Sequence, residues 1–294
     1  MNTDPTLQEY LGKLHTPASA KSYHYNIVKY LATNPDAEQY GYQDVLDYLL
    51  QLRRQKLKDT YRAAVLAAIK KYYDYLMHID VRTNHPCRTL LIKDGRKKGI
   101  NFEQMFTMAE MEQLLDREER FQYHGHRNKF MTSLLIYQGV TVHELISMNV
   151  QDVDIDAATI TIRPSRRLSG RTLAMHPSQV ILAIRYLENA RPFLIRKESP
   201  TNKLLINGQG NPETIDCAKS LFRPLKHLFP YKKVNAKNIR ISVISYWLNE
   251  RKMPLEDVQV MAGHKWPSST EKYKREDMEE QRRLINACHP LNSH

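Results

Sequence analysis

Segment after segment of this chain repeats its apolar residues at intervals of three and four, and one stretch alone alternates them. Helical spacing runs through residues 6–15, 19–31, 42–55 and 61–78, then 105–118, 129–139 and 141–148, and again 177–190, 217–229, 236–250 and 254–264. Within 61–78, Val65, Ile69, Tyr72 and Leu76 step by four, three and four, which puts them on one core-facing stripe. The exception is 150–177, where VQDVDIDAATITIRP and RTLAMHP read as strands joined by the polar turn SRRLSG. The pattern predicts a mostly α fold with one small antiparallel β-sheet.

A change of composition divides the chain. Residues 92–99, IKDGRKKG, are basic, glycine-flanked and almost without apolar side chains, as a connector between domains is. The expected organisation is a helical domain over 1–92, a basic linker over 93–102 and a larger domain over 103–294. Lys and Arg number 44 against 32 Asp and Glu, a net charge of +12, which favours a polyanionic partner, nucleic acid ahead of an acidic membrane surface. Arg96, Lys97 and Lys98 in the linker, and Arg62, Lys70 and Lys71 on the tyrosine-rich helix before it, are the expected contacts to a phosphate backbone. A solvated basic face is the other reading of the helix, and a nuclear-localisation tract the other reading of the linker.

The three cysteines, Cys87, Cys217 and Cys288, lie too far apart for a metal-ligand motif and are expected to be reduced thiols. No apolar run reaches the length of a bilayer span, and the opening MNTDPTLQEY has no charged-then-apolar leader pattern. The expectation is a soluble, cytoplasmic protein.

Residue types that do chemistry concentrate between Lys237 and Tyr273. Arg240 sits on a helix whose other side carries Ile239, Val243, Ile244 and Leu248. His264 follows Gly263 directly after the next helix, and Tyr273 comes nine residues later. This ordered set resembles the C-terminal signature of the tyrosine recombinase (phage integrase) family: a His/Lys-x-x-Arg box, a Leu-Gly-His box and a tyrosine about nine residues on. The likeness extends over most of residues 105–280. It implies a two-domain clamp, with a helical, SAM-like core-binding domain at 1–92 on one face of DNA and a catalytic domain on the other.

The resemblance also implies roles. Tyr273 would attack the scissile phosphate, giving a 3′-phosphotyrosine link and freeing a 5′-hydroxyl. Arg240 would clamp the nonbridging oxygens with its planar fork, His264 would donate a hydrogen bond to them, and Lys237 would assist proton transfer. Phosphodiester energy is conserved, so neither ATP, a metal nor another cofactor is implied. The implied partners are double-stranded DNA at a specific recombination site, a second copy on that site, four copies at synapsis around a Holliday junction, and an accessory DNA-bending factor. A bacterial, nucleoid-associated integrase or transposase of a mobile element fits that description. Beyond Tyr273, a charged helix with Met278, Leu284 and Ile285 on one side would dock either into a neighbouring protomer or into its own chain.

Two departures stand out. The segment QGVTVHEL resembles the family's first box, Gly-Leu-Arg-x-Ser-Glu-Leu, through Gly139, Glu144 and Leu145, but Thr141 occupies the arginine position. A hydroxyl donates one hydrogen bond and carries no charge, and loss of one transition-state donor typically slows a reaction roughly 10²–10³-fold. The family's hairpin lysine is also replaced, by Arg166, or by Arg167 if the turn shifts by one residue. Arginine keeps the charge yet does not readily release a proton. Arg127, Lys129, Arg163 and Arg167 are the candidates to compensate for the charge missing at 141. A DNA-binding architectural or regulatory relative without catalysis is the alternative these departures raise. Glu144 is expected to brace the first box, and His143 to lie at the surface.

Overall fold

The computed structural model describes residues 5–92, 99–116, 119, 121–196 and 200–275. The chain divides into two compact units, Met1–Lys98 and Gly99–His294. In the first, four helices, α1 (Pro5–Leu14), α2 (Pro17–Thr33), α3 (Tyr42–Arg54) and α4 (Asp59–His78), enclose one core. Thr16 caps α2 by accepting from the Ser19 amide, and Pro17 takes the first helical position, where no donor is needed. The stripe of Val65, Ile69, Tyr72 and Leu76 is buried. Beside it, the Tyr30 and Tyr73 hydroxyls meet at 3.0 Å, and the Tyr73 hydroxyl donates a hydrogen bond to the Ala37 carbonyl. A phenol enclosed in a core keeps its apolar ring only if its hydroxyl finds such a partner.

The second unit is helical around one small sheet. It begins with α5 (Met108–Gln113), α6 (Gln122–Tyr137) and α7 (Val142–Ser147). The helix expected over 105–118 starts late because Thr107 and Glu110 form a reciprocal capping box. The α6 helix stops at Tyr137 and the chain turns at Gly139, whose φ of +57° suits glycine; a Cβ there would lie 3.2 Å from Val243 Cγ1.

The expected long strand at 150–164 is two strands, β1 (Val153–Asp154) and β2 (Thr159–Ile162). Asp154 accepts from the Ala157 amide and Ala158 turns left-handed, which folds the segment back on itself. Antiparallel β3 (Arg171–Ala174) completes the order β1-β2-β3, with Ile160 opposite Leu173 and Ile162 opposite Arg171. Ile160 and Ile162 face the core, and so does Arg171, a charge placed on the buried side of the sheet.

Helix α8 (Pro177–Ile184) runs through one widened turn, Arg185–Ala190, into α9 (Arg191–Leu194). The helix expected over 217–229 is cut short. It comprises α10 (Ile215–Ser220) and a separate tight turn, Pro224–Leu228, because Pro224 has no amide to continue the ladder. Helix α11 (Ala236–Ser245) continues through a wide turn to Glu250, then come α12 (Leu255–Ala262) and α13 (Pro267–Glu271). No helix among the described residues is long and apolar enough to cross a membrane.

Candidate active site

Helix α11 carries Arg240 inward, among Ile239, Val243 and Ile244, and leaves it only 8% exposed. A guanidinium so enclosed needs acceptors, and the ends of two neighbouring helices supply them. Arg240 donates to the Gly139 carbonyl past the end of α6, and at 2.6 Å to the Ala262 carbonyl at the end of α12. Its Nη2 also donates to His264 Nε2 at 3.2 Å. Carbonyl groups at helix C-termini carry the negative end of the helix dipole, so they suit a cation.

That contact fixes the state of His264. Arginine can only donate, so Nε2 accepts, and the ring proton sits on Nδ1, which donates to Thr270 Oγ1 at 2.9 Å. Burial first, then the charges of Arg240 and Arg171, holds the imidazole down to about 4, against an ordinary 6.5. His264 is therefore a neutral, oriented ring at neutral pH. Thr270, on α13, is fully buried, and α13 also places Tyr273, whose amide donates to the Thr270 carbonyl at 3.0 Å. The Tyr273 ring lies parallel to that of His264, with centroids 5.9 Å apart. Asn249 holds the Tyr273 carbonyl at 2.8 Å and accepts from the Arg275 amide at 2.7 Å. Burial raises the phenol's pKa, and the Arg240 charge offsets part of the rise.

Thr141 is not a free donor. Its amide and its hydroxyl both donate to Glu144 Oε2, at 2.8 and 2.9 Å, and its Oγ1 accepts from the Glu144 amide, so the pair caps α7. Glu144 is buried. Its other oxygen accepts from Arg171 Nη1 at 2.6 Å, while Oε2 stays 3.9 Å from Arg240. Burial raises the Glu144 pKa, but the Arg171 hydrogen bond and charge, the Thr141 amide and Arg240 together bring it below the usual carboxylate range. His143 is exposed.

The β2–β3 turn is stitched to the same site. Ser169 donates to the Gly263 carbonyl, Leu168 bridges to His264, and Lys265 Nζ donates to the Arg166 carbonyl at 3.0 Å. Gly263 ends α12 in the left-handed region at φ +68°, and a Cβ there would lie 2.5 Å from Arg171 Nη1. Arg166 and Arg167 themselves are exposed, as is Lys237 at the start of α11.

Of the four cations expected to compensate for Thr141, Arg127 and Arg163 are paired elsewhere, and Arg167 is exposed on the β2–β3 turn. Arg127 donates to the Asn128 side chain and the Ile206 carbonyl and lies 3.5 Å from Glu213. Lys129 lies on α6, and Arg163, half-exposed, pairs with Asp152 at 2.8 Å. In the first unit Arg62 is buried and paired with Asp59, Lys70 donates to the Arg88 carbonyl, and Lys71 pairs with Asp74. Arg96, Lys97, Lys98, Met278, Leu284 and Ile285 lie outside the described residues. Among the described residues no three His, Cys, Asp or Glu side chains cluster as a metal site would need. Sequence reasoning missed Arg171 and Thr270. The signal for Arg171 was a charge on the inward side of a strand alternation, and Thr270 is one short polar residue among many.

A mostly helical domain with a three-stranded sheet thus gathers a neutral histidine and a tyrosine, both half-buried, around a buried arginine. The chain belongs to the phage integrase family, whose model matches residues 104–280. It is 25% identical over 275 residues to the tyrosine recombinase XerC of Staphylococcus saprophyticus, covering 92% of this chain and 90% of that protein. It is 25% identical over 249 residues to XerD of Halalkalibacterium halodurans, covering 84% and 81%. Among solved structures, the XerH recombinase bound to a palindromic difH substrate matches with a TM-score of 0.70 at 14% identity, over 91% of this chain and 79% of that one. The Tn1549 transposon integrase in complex with circular intermediate DNA matches with 0.69 at 15%, over 95% and 98%.

Proposed function

We propose that this chain is a site-specific DNA recombinase that breaks and rejoins duplex DNA through Tyr273. The observation that carries the reading is the convergence of Arg240 on α11, His264 after α12 and Tyr273 after α13 on one partly buried cluster. Tyr273 Oη would attack phosphorus, forming the 3′-phosphotyrosine bond as the bond to the 5′-oxygen breaks. Arg240 would stabilise the charge that builds on the nonbridging oxygens in a site shielded from water, where such a contact is strongest. His264 would hold one of those oxygens. Lys237 and Arg166, both at the exposed margin, would meet the proton leaving the tyrosine and the charge on the departing oxygen. A later attack by a 5′-hydroxyl on the phosphotyrosine reverses the chemistry and restores the phosphodiester.

Double-stranded DNA is the substrate. The helical domain of residues 1–92 would hold one face of it and the catalytic domain of 103–294 the other, joined by the basic linker 93–102 with Arg96, Lys97 and Lys98. A lambda integrase of similar fold is described as a dimer on a core site, which supports two copies of this chain on one site. Four copies at synapsis, a Holliday junction, an accessory DNA-bending factor and a place inside the cell at the nucleoid complete the proposal. The net charge of +12 supports binding that weakens steeply with salt.

The test is to incubate the protein with sheared DNA of its source, denature, and sequence the fragments that stay covalently attached. A nicked duplex carrying the recovered target should then trap one adduct per cleaved strand. Tyr273→Phe should bind that duplex with unchanged affinity and form none. An adduct that survives in Tyr273→Phe, or no adduct from the unaltered protein across the whole DNA of its source, overturns the reading.

A further inference from the structure

The buried charges around Glu144 do not balance. Glu144 is an ionised carboxylate enclosed with two guanidinium groups, Arg171 and Arg240. It does not divide itself between them. Thr141 occupies Oε2 with two hydrogen bonds, and Arg171 takes Oε1 at 2.6 Å, which leaves Arg240 at 3.9 Å, beyond hydrogen-bond reach. Arg240 binds carbonyls and a neutral ring instead, none of which cancels its charge.

We propose that Arg171 is a positioning residue for strand cleavage: it neutralises Glu144 so that Arg240 keeps its full positive charge for the scissile phosphate. With Arg171 the buried trio carries one net positive charge. Without it, Glu144 would cancel Arg240 and be drawn towards it. Thr141 adds no charge, so in this chain that surplus depends on Arg171.

Three further observations fit this role. The Arg171 side chain is 1% exposed, and the carboxylate that it meets there is that of Glu144. Its Nη1 fills the space that a side chain at residue 263 would take, directly before His264. Its charge is also felt across the site, since it lowers the pKa values of both Arg240 and His264.

The inference rests on the recombinase reading, and the experiment separates the two. Four proteins are compared in single-turnover cleavage of the nicked target duplex: unaltered, Arg171→Gln, Arg171→Lys and Arg171→Gln with Glu144→Gln. The ring pKa of His264 is followed by NMR in each, without DNA. Arg171→Gln should slow cleavage on the order of 100-fold, the scale of one lost charge-stabilising group, and should raise the His264 pKa. The double variant restores the single surplus charge on Arg240 and should cleave within about tenfold of the unaltered protein. Its His264 pKa should return towards the original, since a cation and an anion are removed together. Arg171→Lys keeps the charge and should stay close to the unaltered protein in both measurements. A role confined to packing would make lysine and glutamine equally harmful and would leave the His264 pKa indifferent to charge.

If the unaltered protein forms no adduct, the recombinase reading fails. If it does, the inference alone is overturned by a folded Arg171→Gln that cleaves within threefold of normal. It is overturned equally by a folded double variant as slow as Arg171→Gln, or, should the single variant not fold, by a double variant more than 100-fold slower than normal.

Discussion

Gly263→Ala tests the packing at the centre of this site, because its two costs can be separated. The first is backbone. Gly263 sits at φ +68°, and a residue with a Cβ in the left-handed region costs about 1–2 kcal/mol. The second is steric. The new carbon would lie 2.5 Å from Arg171 Nη1 and 2.9 Å from the Ser169 carbonyl oxygen. Ordinary contact is about 3.5 Å, so the guanidinium must retreat by roughly 1 Å. Such a retreat stretches the 2.6 Å bond to Glu144 past the hydrogen-bond limit. A charge-assisted hydrogen bond lost in a buried place is worth about 1.5–3 kcal/mol. The expected total is about 2.5–5 kcal/mol, summing the two contributions. Gly139→Ala is the control, at φ +57° with Val243 Cγ1 3.2 Å away and no ion pair in its path; it should cost about 1–2 kcal/mol. Urea unfolding followed by tryptophan fluorescence reports this unit alone, because both tryptophans, Trp247 and Trp266, lie in it. In the background of Arg171→Gln with Glu144→Gln, the Gly263→Ala cost should fall to that of the control. Equal costs for Gly263→Ala and Gly139→Ala in the unaltered protein would refute the reasoning.

Other consequences are as direct. Arg240→Lys keeps a charge but loses the fork that reaches Gly139, Ala262 and His264 together, so single-turnover cleavage should slow on the order of 100-fold; cleavage within a few-fold of normal would exclude the clamp. Thr270→Val changes one buried hydroxyl for a methyl group and leaves His264 Nδ1 without its acceptor. It should cost about 1–3 kcal/mol and blur the single ring tautomer seen by nitrogen NMR. Stability should also follow pH through His264. Its folded pKa, about 4, lies below the unfolded 6.5, so the unfolded chain takes the proton first as the solution is acidified. The stabilisation is complete above 6.5, declines between 6.5 and 4, and levels off below; His264→Gln should remove that slope, and an unchanged slope would assign it to other groups.

The helical pattern and the single sheet were legible in residue spacing, because each element buries a stripe that its sequence must advertise. Element ends were less so. Pro224 and the Thr107 cap act over three or four residues and outweigh an apolar periodicity that runs straight past them. In the site, the set of Arg240, His264 and Tyr273 was readable through its resemblance to the family's signature, but the long-range partners were not. The Thr141-x-x-Glu144 spacing is itself that of a capping box, but nothing local in the sequence says that the cation beside Glu144 is Arg171 on the sheet rather than Arg127 on the preceding helix. That fact depends on the register of β2 against β3, which puts residue 171 opposite Ile162 and hence inward. Long-range pairing chooses the partner of a buried charge, and a single sequence carries little trace of it.

The state of His264 in the free protein makes one more demand on the reaction. Its Nδ1 proton is committed to Thr270 and its Nε2 accepts from Arg240. A phosphate oxygen is itself an acceptor, so it cannot be held by a ring in that state. To face the phosphate, Nε2 must carry a proton. Either the ring changes tautomer, with Nδ1 accepting from the Thr270 hydroxyl, or the ring gains a proton, which the arriving anion favours by opposing the fields of Arg240, Arg171 and Lys272, which together with burial outweigh that of Glu144. By the second route, binding of the target duplex near pH 6 should take up close to one proton per protomer, and affinity should rise as pH falls from neutrality towards the free value of about 4. Titration calorimetry in buffers of different protonation enthalpy measures the uptake, with His264→Gln as the comparison. A binding enthalpy independent of buffer, or the same dependence in His264→Gln, would show that the ring stays neutral on DNA. A permanent third cation beside two buried guanidinium groups would repel both of them in the free protein. A proton acquired on binding supplies that charge only when a phosphate is present to meet it.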